Sequence, residues 1–219
     1  DASESAYGAC VYIRGEFSDG QISVRLLCAK SRIAPTKTMS IARLELCAAK
    51  LLVDLMKKLN SEVLTEIKVT RTLFWTDSTI VLQWLSTEPH RWNIFVAHRV
   101  TKIQEIAPRS LWRHVPGTFN PADIISRGML PTDILSSSLW WHGPQFLLNE
   151  ETLWPSTSIS ISTISDIEEA RPFKFCLEAY RQSEHISDRL HYSTNYRGSC
   201  RAFAYVLRFI DRCRNPVVT

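Results

Sequence analysis

SIARLELCAAKLLVDLMKKL, residues 40–59, has the spacing of a long amphipathic helix. Ser40 is its N-cap, because a short hydroxyl side chain can accept from the N–H groups that a first helical turn leaves unpaired. Ile41, Leu44, Ala48, Leu51, Leu52, Leu55 and Leu59 then recur on one side. Glu45 breaks the pattern. At about 100° per residue it falls between Leu52 and Met56, inside the apolar sector. An ionised carboxylate buried there without a partner is strongly disfavoured and takes up a proton instead, so a cation or a hydrogen-bond network is implied.

On the N-terminal side of this helix, residues 6–14 and 21–30 are rich in strand formers, and Phe17-Ser18-Asp19-Gly20 supplies turn chemistry, which predicts a hairpin. On its C-terminal side a strand is predicted over 67–76. A short helix over 78–85 follows and stops before Pro89, and a second helix covers about 93–106. Residues 111–115 make a last short strand. Asn120 and Pro121 then form an N-cap and first-turn pair for another helix. The order is hairpin, helix, strand, helix, helix, strand, helix.

Three further acids stand at informative places: Asp1 in Asp-Ala-Ser, Asp77 after the strand ending Phe-Trp-Thr, and Asp123 in Asn-Pro-Ala-Asp. Singly, each has a plain structural explanation, as a solvated terminus, a helix N-cap and an acid at the positive end of a helix. Together with Glu45 they can converge on one sheet edge, where four like charges repel. Two metal ions roughly 4 Å apart relieve that repulsion and clamp the entering and leaving oxygens of an in-line displacement. All-oxygen ligation points to Mg²⁺, or Mn²⁺, rather than Zn²⁺. His185, His191, Cys200 and Cys213 have neither finger nor knuckle spacing, and no phosphate-cradling Gly-rich loop, Gly-x-Ser-x-Gly elbow or His-Glu-x-x-His helix occurs.

The 219 residues, 45% of them hydrophobic, suffice for one main domain and an appendage. The net charge of +4, from 26 Lys and Arg against 22 Asp and Glu, suits a polyanionic partner without demanding one. Six cysteines at 10, 28, 47, 176, 200 and 213 lack a Cys-x-x-Cys pair and read as reduced thiols. No signal peptide and no uncharged apolar run of roughly 18 residues occurs, so a soluble, intracellular protein without membrane contact is expected. The chain lacks an initiating Met and reads as an excerpt or a processed piece of something larger. Trp140, Trp141 and Phe146-Leu147-Leu148 are expected to pack back on the domain. Residues 155–165 are Ser/Thr-rich without a helical period and read as linker. Beyond them Ala202, Tyr205, Val206, Phe209 and Cys213 recur at helical spacing. The six arginines between 189 and 214 face one acid, Asp211, and read as a solvated helix face.

DASESAYGACVY (1–12), RLELCAA (43–49), WTDS (75–78) and WRHVPGTFNPADIISRG (112–128), in that order, resemble the ribonuclease H domain of Bel/Pao-type retrotransposon polyproteins. The resemblance covers about 1–150. WWHGP (140–144) resembles the end of that domain, and AYVLRFI (204–210) the stretch leading toward the integrase. It implies an α/β fold, a ribonuclease H-like mixed sheet flanked by helices with its first strand truncated, followed by a small helical segment. The implied organisation is a ribonuclease H-like domain at 1–150, a linker at 151–165 and a helical connector at 166–219.

The family's catalytic, metal-binding carboxylates fall on Asp1, Glu45, Asp77 and Asp123. The implied activity is hydrolysis of the RNA strand of an RNA–DNA hybrid during reverse transcription, with two Mg²⁺ ions and 5′-phosphate and 3′-hydroxyl products. The reverse transcriptase and integrase regions of the same polyprotein are the implied partners. Cytoplasmic residence in a retroelement particle, with nuclear access, is the implied localisation. Lys30, Arg32 and Lys37 are candidate contacts to the hybrid backbone, whose A-like geometry rather than base sequence is read. Many ribonucleases H carry a His in the loop before the last Asp, whereas Val115-Pro-Gly-Thr-Phe-Asn-Pro121 has none. The integrase's zinc-binding His and Cys set is also missing. A catalytically inactive or domesticated nucleic-acid-binding or connector domain is the alternative. An integrase core is disfavoured, because its acids run Asp, Asp, Glu.

Overall fold

The computed structural model describes residues 1–155, 169–171, 204–205 and 207–208. Two compact units are distinguished, Asp1–Pro172 and Phe173–Thr219. In the second, Ala204, Tyr205, Leu207 and Arg208 are helical, with the Arg208 guanidinium 5.3 Å from the Tyr205 ring centre. The Ser/Thr-rich tract and most of the expected connector lie outside the described residues.

The first unit opens with an antiparallel hairpin of β1 (Ala6–Glu16) and β2 (Ile22–Ile33). Its turn closes through Gly20 N–H to Phe17 C=O and Phe17 N–H to Gln21 C=O, both 2.9 Å, and Gly20 takes the left-handed φ of 80° that suits glycine. Pairing runs Val11 with Cys28 and then Tyr12 with Leu26. Leu27 is therefore a bulged residue, which increases the local twist of the ribbon. The long helix α1 (Ile41–Glu62) follows, with the Ser40 hydroxyl accepting from Arg43 N–H, as its sequence predicts.

β3 (Phe74–Thr76), α2 (Thr79–Leu85), α3 (Ile94–Gln104) and β4 (Trp112–His114) complete the core, β3 and β4 pairing in parallel. The predicted strand over 67–76 shrinks to its last three residues. A strand is defined by its ladder, and β4, the partner, is confined between Pro108 and Pro116, so residues 67–73 have no backbone to pair with. Ile67 and Val69 are accordingly exposed.

The main core lies where α1, α2 and α3 meet β3 and β4. Leu46, Val53, Val81, Leu82, Trp84, Trp92, Val96, Val100 and Ile103 have essentially no solvent exposure. Its buried indoles are satisfied, Trp92 donating to Trp84 C=O at 3.2 Å and Trp112 to Ala107 C=O at 3.1 Å. Phe74 stacks on Trp112 with ring centres 5.1 Å apart.

Three short helices close the unit: α4 (Ala122–Arg127), α5 (Pro131–Ser136) and α6 (Ser138–His142). Asn120 Oδ1 accepts from Ala122 N–H just ahead of α4, whose N-cap is Pro121, one residue later than Asn120-Pro121 predicts. Tyr12 donates to Trp140 C=O at 2.8 Å, which seats α6 against the hairpin; Trp140 is buried, whereas Trp141 is exposed. Residues 151–155 also belong to this unit, because Glu151 is ion-paired with both Arg71 and Arg113.

The strands form two separate two-stranded pairs, β1–β2 and β3–β4, one antiparallel and one parallel. The architecture is mixed α/β, with small sheets flanked by helices. α4 approaches β1 at Gly8, where a Cβ would lie 2.6 Å from Ile125 side-chain atoms, while a Cβ at Gly15 would meet nothing within 4 Å. Gly8→Val is expected to destabilise the unit by about 1–3 kcal/mol through overpacking, and Gly15→Val by no more than about 0.5 kcal/mol. Urea unfolding of the two variants checks the difference, and equal losses would remove the α4 contact from the account.

Candidate metal centre

Glu45 enters the site from α1 with 8% of its surface exposed, confirming its place in the apolar sector. Its Oε1 accepts from Ala2 N–H at 3.0 Å. That bond ties the N-terminal residues to the helix, and two others tie them to β1: Asp1 N–H to Gly8 C=O at 3.1 Å and Gly8 N–H to Asp1 C=O at 2.9 Å. Asp1 is thereby held beside Glu45, its ammonium 3.8 Å from Oε2.

Asp77 arrives from the other strand pair, at the junction of β3 and α2. It is not the helix cap, because Ser78 fills that role by accepting from Val81 N–H at 3.3 Å. The Asp77 carboxylate is therefore left to the site. One carboxylate oxygen from each of Asp1, Glu45 and Asp77 can be chosen so that all lie within 4.8 Å of one another. Glu45 Oε2 and Asp77 Oδ1 are buried and have no hydrogen-bond partner.

Asp123 stands apart from this set. It sits in the first turn of α4, where its Oδ1 accepts from Arg127 Nε one turn on. The expected set of four thus reduces, in this structure, to three converging carboxylates with a fourth nearby. Sequence reading missed Ser126, whose hydroxyl donates to Asp1 Oδ2. Ser126 is buried, and its own C=O accepts from the Ser3 hydroxyl at 2.6 Å. The signal was present in its spacing, three residues after Asp123 and so on the same helix face.

Of the candidate hybrid contacts, Lys30 and Arg32 are exposed on β2 and Lys37 is exposed in the segment leading to α1. Among the described residues no ion pair engages any of the three. The loop before α4 passes Asp77, a Gly117 Cβ being placed 3.6 Å from Asp77 Oδ2. His114, at the start of that loop, contacts the Asp77 main-chain carbonyl through Nε2 at 3.2 Å.

Burial pushes the Glu45 carboxyl above its ordinary value, and the Asp77 and Asp123 charges push the same way. The Asp1 ammonium and Ala2 N–H pull it back. Carboxylate oxygens are hard donors, and two buried ones without partners are what a divalent cation takes up, so the donor set fits such an ion.

Residues 1–78 match the family model described as Pao retrotransposon-like RNaseH-like domain. Over that stretch, about a third of its length, the chain is similar to that family. The match takes in Asp1, Glu45 and Asp77 and ends before Asp123. The mixed α/β architecture agrees with a ribonuclease H-like fold, and members of such a family act on nucleic acid, typically with divalent metals. No curated protein and no solved structure matches the chain.

Two outcomes follow for the site. Because the folded state holds the Glu45 proton more tightly than the unfolded chain, stability without metal is fully present below the ordinary carboxylate range and declines as pH rises through the raised folded value. Glu45→Gln should flatten that decline in metal-free melting curves. A wild-type curve already flat across the same range would sink the assignment. Ser126→Ala should weaken Mn²⁺ binding by about 10–100-fold, the range for lost partners of metal ligands, as titration calorimetry would read.

Proposed function

We propose that this domain is a metal-dependent endoribonuclease that cleaves the RNA strand of RNA–DNA hybrids during retroelement reverse transcription. The supporting observation is the convergence of Asp1, Glu45 and Asp77 with two buried carboxylate oxygens that accept no hydrogen bond. Packing gives no reason to leave such oxygens bare, since an unmade bond at a buried acceptor costs about 1–3 kcal/mol and more for a charge.

Mg²⁺, or Mn²⁺, is the proposed ion, in a pair held by Asp1, Glu45 and Asp77 with Asp123 at the margin. When bound, such ions generate the attacking hydroxide and offset charge on the departing 3′ oxygen. The protein's own part is positional. α1 holds Glu45 fixed by burial, the Gly8 and Ser126 contacts fix the main chain and carboxylate of Asp1, and the Ser78 cap frees Asp77 from local duty. The exposed Lys30, Arg32 and Lys37 supply charge for a phosphate backbone. Reverse transcriptase and integrase regions of a polyprotein are the proposed partners, and a cytoplasmic retroelement particle the proposed setting.

The pairing of Asp123 with Arg127 favours a second reading, a copy that binds nucleic acid without cutting it. A hybrid with a labelled RNA strand separates the two. Cleavage in Mg²⁺ is expected, with Asp77→Asn and Glu45→Gln each reducing it by about 10²–10³-fold or more while hybrid affinity changes only a few fold. Asp123→Asn then reports on the fourth acid: a loss as large as at Asp77 places it among the ligands, and a loss below about tenfold keeps it outside. Binding without cleavage by the unmutated chain supports the second reading.

A further inference from the structure

A short segment far along the chain is held on the first unit by backbone pairing. Asn93 N–H donates to Glu169 C=O at 2.9 Å and Arg171 N–H to Arg91 C=O at 2.8 Å, on either side of an antiparallel bridge between Trp92 and Ala170. Trp92 has no solvent exposure, and Ala170 packs against the core it belongs to. Residues 169–171 thus add one extended rung to the backbone that leads into α3.

The Glu169 carboxylate is the anchor of this rung. Its side chain is 8% exposed, and both of its oxygens are engaged, Oε1 accepting from Arg43 Nε at 2.5 Å and Oε2 from Asn93 Nδ2 at 3.0 Å. The Arg43 guanidinium is seated over the Phe95 ring, 4.9 Å from its centre, which restrains it where the carboxylate meets it.

Two local preferences are given up for the contact. Glu169 has a φ of 72°, a left-handed backbone that residues with a β-carbon avoid, and it is the one non-glycine to adopt it among the described residues. Asn93 occupies the N-cap of α3, where its side chain would ordinarily accept from the first turn, yet it makes no such bond and donates to Glu169 instead. Covering Trp92 requires neither concession, since Ala170 does that without an acid beside it.

We propose that residues 169–171 are a docking segment, clasped on the face made by Arg43, Trp92 and Asn93, so that the chain beyond Pro172 leaves the first unit beside the start of α3. What this face fits is an extended segment with an acidic residue followed by a small one, and its occupant is the chain's own. Main-chain bonds set the register, the Arg43 and Asn93 donors select the acid, and contact with the core favours a small residue next. The clasp also ties the first turn of α1, two residues ahead of Glu45, to the start of α3. It uses none of Asp1, Glu45, Asp77 and Asp123, and so stands apart from the nuclease reading.

Amide hydrogen exchange on the full chain tests the clasp, read at Asn93 and Arg171 with Val100 and Ile103 of α3 as core references. Glu169→Ala and Arg43→Ala should each speed exchange at Asn93 and Arg171 by about tenfold or more while leaving the references within about twofold. The double variant should lose no more than the larger single loss, because both substitutions remove the same pair. Glu169→Gly, which relieves the left-handed backbone but removes the acid, should release the segment as Glu169→Ala does. Unchanged exchange in both single variants, additive losses in the double variant, or equal acceleration at the references would overturn the docking segment. Protection retained in Glu169→Gly would overturn the carboxylate as its anchor.

Discussion

The buried carboxylate of Glu45 is the constraint on which the rest of this structure turns. Its helix is driven into the core by Leu46, Val53 and their neighbours, and at α-helical spacing that docking carries residue 45 inward as well. Burial of a charge has to be met locally. Ala2 N–H meets it at one oxygen, and the Asp1 ammonium stands near the other. The N-terminal residues are therefore positioned by an electrostatic demand of α1, and Asp1 arrives in the site as a consequence. Asp77 comes from an independent direction, through the packing of β3 and α2 against the same core. The clustering of like charges is an outcome of core packing that the carboxylates themselves oppose.

That opposition gives the cluster its chemical meaning. At short range and reduced dielectric, repulsion among three carboxylates is several times what water would allow. Proton uptake at Glu45 is one relief, as its upward displacement shows. A cation is the other, and it leaves the carboxylates ionised. The two compete, so the same burial that holds the acids in place also makes them pH-sensitive. Hydrogen bonding at Asp1 Oδ2 by Ser126 and at Glu45 Oε1 by Ala2 leaves Glu45 Oε2 and Asp77 Oδ1 as the bare pair.

What could be read in the sequence was what local physics decides. Ser40 declares its helix because a cap is made within four residues, and the Phe17 to Gly20 turn declares the hairpin, whereas the cap of α2 falls on Ser78 and not on the Asp77 that its sequence also allows. Glu45 was legible because one helical period suffices to place it. The strand over 67–76 was overextended because its length depends on a partner some forty residues away, bracketed by prolines that local propensity at 67–73 cannot sense. The distance of Asp123 from the other acids was not legible, because nothing in its neighbourhood shows where α4 will dock. Its neighbour Ser126 acquires its role only from that docking, which Gly8 permits, whereas the pair with Arg127 is local, one turn apart within α4.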